Sequence, residues 1–100
     1  MIKRIVRLSF QEEKIGAFTA LFEETKDKIR SFPGCTHLEL WNDLDEPNVF
    51  FTYSYWESPD ALEAYRHSDF FKATWAKTKV LFNGRPQAWS VRELSQGVRL

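Results

Sequence analysis

The chain has 100 residues, 43% hydrophobic and 28% charged, which suits one ordinary globular domain. Its 14 Lys and Arg balance 14 Asp and Glu, so no basic excess draws nucleic acid or an anionic membrane. No stretch approaches the ~18 apolar residues of a membrane span, the N-terminus lacks the apolar run of a signal peptide, and the single cysteine, Cys35, suits a reducing cytoplasm.

Residues 2–10 alternate, with Ile2, Arg4, Val6, Leu8 and Phe10 against Lys3, Ile5, Arg7 and Ser9. That pattern predicts a strand with one mainly apolar face. From Gln11 to Phe32 the period changes. Ile15, Phe18, Leu21, Phe22, Thr25, Ile29 and Phe32 fall within an arc of about 120° at about 100° per residue, an amphipathic helix. Pro33-Gly34 stops it, since Pro33 disfavours helical geometry at Phe32 and Gly34 suits a left-handed turn. Cys35 to Trp41 alternates again, and 42–48 reads as a hairpin loop.

Val49 to Trp56 is apolar on both faces, as a central strand covered on both sides would be. Tyr53 and Tyr55 share one face and Trp56 the other; which face meets the helices stays open. Ser58 is a candidate N-cap with Pro59 at the first helical position. Ser68-Asp69 reads as a second cap, so the helix breaks near His67 and resumes to Phe82. Gln87 to Leu94 is a last strand, and residues 95–100 are a tail beyond a domain spanning 1–94.

This order is the α+β ferredoxin-like plan, β-α-β-β-α-β, with both helices on one face of a four-stranded antiparallel sheet. Aromatic residues on the other face imply an association surface and a homodimer packed sheet to sheet about a two-fold axis.

On a wheel, Phe70, Leu81, Thr74, Thr78, Phe71, Phe82 and Trp75 share an arc of about 140°. Two small hydroxyl residues among large rings leave room above them. One reading is a pocket floored by Thr74 and Thr78 and walled by Phe71, Trp75 and Phe82. The other is that both hydroxyls bond back to carbonyls one turn earlier and sheet side chains fill the space. Trp56 could add ring stacking, or it could be core. No zinc ligand set, Gly-rich phosphate loop or nucleophile elbow is present, so no cofactor is expected.

Phe32-Pro33-Gly34-Cys35, Tyr53-Ser54-Tyr55-Trp56-Glu57-Ser58, Ala61-Leu62-Glu63-Ala64-Tyr65, Ser68-Asp69-Phe70-Phe71 and Trp89-Ser90-Val91 together resemble the antibiotic biosynthesis monooxygenase family of dimeric α/β barrels. The likeness spans roughly residues 1–93. It implies a small aromatic or quinol-like substrate, molecular oxygen as oxidant and neither metal nor flavin. It also implies pocket chemistry at Tyr65, whose phenol would hold a substrate hydroxyl. His37, beside Glu39 on one strand face, and His67, at the helix junction, are the candidate bases for a phenolic proton.

The family often has histidine where this chain has Tyr65 and Phe70. That departure leaves open a non-catalytic small-ligand-binding or stress-related dimer. A haem-binding protein is a further alternative. A related haem-degrading branch has its iron-ligating histidine about where Trp75 stands and an asparagine in the first strand, which this chain lacks.

Overall fold

The computed structural model describes residues 1–100 and starts with strand β1 (Ile2–Ser9). A single 3₁₀ turn (Glu12–Lys14) then leads into α1 (Ile15–Arg30). This helix is shorter than its apolar stripe suggests. At its end the Ser31 and Phe32 amides donate to Asp27 O and Ile29 O at 3.0 and 3.1 Å, a tightened last turn that releases the chain before Pro33. Gly34 has φ +89°, the left-handed region where a Cβ is costly. A Cβ at Gly34 would also run into the Ala61 side chain, so any other residue at this turn is strained on both counts.

Strands β2 (Cys35–Asn42) and β3 (Val49–Trp56) form the hairpin read from the sequence. Its loop is held by the Asp43 carboxylate, which accepts from the Asp45 and Glu46 amides at 3.0 and 2.9 Å. Helices α2 (Pro59–Arg66) and α3 (Asp69–Lys79) follow. Both start at a serine: Ser58 Oγ accepts from the Ala61 amide and Ser68 Oγ from the Phe71 amide, each at 3.1 Å. The expected break therefore falls at His67-Ser68, where two caps compete with one continuous helix.

The second half of this pair ends earlier than Phe82. Val80 caps α3, and Phe82 instead bridges to Phe10, extending the sheet by one residue pair. The Gln11 side-chain amide donates to Val80 O and Phe82 O, both at 3.3 Å, satisfying carbonyls that the helix leaves free. Strand β4 (Gln87–Val91) is also shorter than expected, because its pairing with β1 runs only from Gln87 to Val91.

The four strands form one antiparallel sheet in the order β2-β3-β1-β4, the ferredoxin-like topology expected. Register decides the faces. Leu8 lies opposite Phe50, Val6 opposite Thr52 and Arg4 opposite Ser54, and these side chains meet the helices. Ile5 lies opposite Tyr53 on one side and Trp89 on the other. Beyond Tyr53 stands Glu39, flanked on β2 by His37 and Trp41. That second face carries no helix.

The core between helices and sheet divides in two. Leu8, Phe10, Phe18, Phe22 and Phe50 form one cluster, with Phe10 stacked on Phe18 at 4.0 Å. Cys35, Trp56 and Leu62 form the other, flanked by Phe32 and Tyr65. No helix is long and apolar enough to cross a membrane.

Candidate functional site

Between these two clusters lies a cavity of about 370 Å³. The sheet supplies its floor, with Val6 and Leu8 from β1, Thr52, Ser54 and Trp56 from β3, and Ala88 from β4. Phe18, Phe22 and Ile29 of α1 close one side, and Leu62 and Tyr65 of α2 with Phe71, Thr74, Trp75 and Thr78 of α3 close the other. β4 is exposed along its length, and Pro86 and Ala88 complete the lining there.

Its aromatic walls are fixed by one another. The Trp56 indole, 1% exposed, donates to Ser54 Oγ at 3.0 Å, two residues away on the same strand face. Tyr65 stacks on it with ring centroids 4.8 Å apart and meets Phe32 and Phe71 edge-on. Phe71 stacks on Trp75 at 5.8 Å. These are preferred ring geometries, each worth about 0.5–1.5 kcal/mol beyond area burial.

The polar groups are few. Thr78, buried, donates to Thr74 O at 2.8 Å, so it takes the back-bonded alternative. Thr74 is half-buried and faces the cavity. Burial pushes the Tyr65 phenol well above its ordinary value, with the nearby Cys35 thiol adding to the effect. Tyr65 is therefore a neutral hydrogen-bond donor across the physiological range rather than a base. Arg4 and Arg66 also line the cavity. Burial, then the neighbouring Arg66, lowers the Arg4 pKa, while Glu63 opposes both.

Of the residues singled out by sequence, the fold brings Tyr65, Trp56, Phe71, Thr74, Trp75 and Thr78 around one space. Phe82 does not line it. Beyond the end of α3 its ring packs between Phe10 and Trp75, at 5.3 and 5.6 Å, and buttresses the wall from behind. Neither histidine reaches the cavity. His67 is exposed at the helix junction and pairs with Glu63 at 3.2 Å. His37 stands on the helix-free face, bonded to Glu39. Glu39 also accepts from the Trp41 indole at 3.0 Å; His37 first, and then Trp41, hold its carboxyl below the usual range.

Arg4, Thr52 and Ser54 line the site without having been singled out by sequence. Arg4 does carry a signal, as the one charge on the apolar side of an alternating strand. Thr52 and Ser54 carry none, because the facing of β3 depends on pairing partners distant in the chain.

The sequence model of the antibiotic biosynthesis monooxygenase family matches residues 1–77. The chain is similar to the crystal structure of an antibiotic biosynthesis monooxygenase, with TM-score 0.88 at 20% identity over 95% of this chain and 100% of that one. It is similar to a proposed antibiotic biosynthesis monooxygenase from Caulobacter crescentus, with TM-score 0.87 at 25% identity over 94% and 90% of the two chains. A conserved protein from Methanosarcina mazei gives 0.87 at 17% identity over 93% and 92%. No curated protein matches the chain at a significant level.

Proposed function

Because the chain belongs to the antibiotic biosynthesis monooxygenase family, we propose that it oxidises a small aromatic or quinol-like substrate with molecular oxygen, without a cofactor, in the cavity between helices and sheet. The observation that carries this reading is a space of about 370 Å³ walled by Trp56, Tyr65, Phe71 and Trp75. That size lies at the lower end of the ~300–1,000 Å³ of small-molecule sites and suits a compound of two or three fused rings.

In this reaction a phenolic hydroxyl releases its proton to solvent. The electron-rich anion passes one electron to oxygen, giving an aryloxyl radical and superoxide. Their combination forms a carbon–oxygen bond. The peroxide takes up a proton and its O–O bond breaks. One oxygen remains as a carbonyl, and the other leaves as water as that carbon gives up its hydrogen as a proton. Substrate is the reductant and oxygen the oxidant, so the protein's share is positioning, exclusion of water and stabilisation of the anion. Tyr65 contributes a donor toward a substrate oxygen, and Thr74 a second polar contact.

We also infer a homodimer closed sheet to sheet in the cytoplasm. Trp41, Trp89 and Val91, 38%, 44% and 44% exposed on the helix-free side, support it, because such a face is costly to leave in water. In that reading His37 and Glu39 belong to the contact between copies.

A second reading, a non-catalytic ligand-binding dimer, is favoured by one observation: neither histidine lines the cavity. Oxygen-electrode measurements with anthrone and 1,4-naphthoquinol separate the two. Catalysis predicts protein-dependent uptake that saturates with substrate. No uptake together with saturable tryptophan quenching would leave the binder.

A further inference from the structure

Arg4 is the one charged side chain on the helix-facing side of β1, and its strand neighbours there are both serines, Ser54 on β3 and Ser90 on β4. The residue is half-buried and lines the cavity. It donates from Nη1 to Ser90 Oγ at 2.9 Å, a neutral partner, and it forms none of the six ion pairs of the chain. The nearby carboxylate, Glu63, is occupied by Arg66 at 2.9 Å and His67 at 3.2 Å. A guanidinium offers five N–H donors in a planar fork, and buried or half-buried charge is ordinarily matched by opposite charge. Arg4 thus has no carboxylate in direct contact, and it lines an aromatic-walled space.

We propose that Arg4 is an anion-recognition residue, and that the cavity takes aromatic ligands bearing a carboxylate, or an acidic phenol bound as its anion, with the charge held by the Arg4 fork. This rests on the cavity being the ligand site, and it narrows the substrate class from quinol-like compounds in general to anionic ones. The planar fork suits two parallel hydrogen bonds to one carboxylate, while Trp56, Tyr65, Phe71 and Trp75 take the rings. The same charge favours ionisation of a phenol placed there, which assigns deprotonation to stabilisation of the product anion and requires no histidine in the cavity.

The test is calorimetric titration of the protein with 2-naphthoate and with its neutral isostere 2-naphthamide, without any oxygen chemistry. The acid binds about tenfold tighter or more than the amide, as a charge-assisted pair predicts. Arg4→Met removes that gap and leaves amide affinity unchanged within about twofold, whereas Arg4→Lys keeps part of it. Lys28→Met, at an exposed cation of α1 that does not line the cavity, leaves the gap in place. Equal or tighter amide binding by the unaltered protein overturns the proposal, and that arm depends on no variant folding. So does a gap that survives Arg4→Met or disappears with Lys28→Met. Binding of neither compound overturns the cavity reading as well. Selective acid binding without oxygen uptake upholds the anion site while removing the monooxygenase reading.

Discussion

Tyr65 shows how burial sets the chemistry of a single group. Its ring is held by Trp56, Phe32 and Phe71, and burial raises the phenol above the ~10 of a free tyrosine. The folded chain thus holds this proton more tightly than the unfolded chain. The stability so gained is fully present below about pH 10, the unfolded value, and is lost as pH rises through the higher folded value. Absorbance titration at alkaline pH should show one of the three tyrosines ionising last and together with unfolding. Tyr65→Phe should remove that step and flatten the alkaline fall in melting temperature. An unchanged titration in the variant would contradict the assignment. If the phenol also holds substrate, the same variant lowers the rate of oxygen uptake on the order of 100-fold, the cost of removing one well-placed donor.

At the scale of elements, turns and caps decide where the helices sit and therefore whether a cavity exists. Gly34 joins α1 to β2 with φ +89°, and its carbonyl accepts from the Glu57 amide at 2.8 Å, tying this turn to the start of α2. Gly34→Ala should destabilise the fold by more than ~1 kcal/mol, since both the left-handed backbone and the Ala61 side chain resist a Cβ. Gly16, in the first turn of α1, has only open space within 4 Å of the point where a Cβ would stand, so Gly16→Ala should stabilise by about 0.4–1 kcal/mol. Urea denaturation of the two variants gives opposite shifts in midpoint, and shifts of the same sign would refute the contrast. The break at Ser68 has a further consequence: its hydroxyl accepts from the Phe71 amide and donates to Tyr65 O at 2.6 Å. One serine thereby sets the angle at which the Tyr65 and Phe71 walls meet.

For the whole molecule, the helix-free side of the sheet is the decisive feature. Trp41 stacks on Tyr53 at 4.5 Å, the Tyr53 hydroxyl donates to that of Tyr55 at 3.2 Å, and Ile5 sits between Tyr53 and Trp89. Sedimentation should give twice the chain mass. Ile5→Glu should shift it toward monomer, because an unpaired carboxylate in a closed sheet-to-sheet contact costs about 3–5 kcal/mol. A monomeric unaltered protein would refute the dimer. Much of this organisation is legible in the linear chain. Alternation in residues 2–10 and 35–41, the helical stripe of α1, Pro33-Gly34 and the two serine caps are local signals, since strand and helix periods and cap chemistry act over a few residues. The aromatic wall of α3 is legible for the same reason, up to the point where Phe82 leaves the helix to pair with Phe10. What needed tertiary structure was every choice between faces. Period-two alternation says that Tyr53 and Trp56 point apart but not which of them meets the helices, and only the pairing of β3 with β1 and β2 turned Trp56 inward and sent His37 to the opposite side. The hollow itself is also a tertiary property, because a void is the difference between what two layers could fill and what their side chains do fill, and no single segment of chain contains that difference.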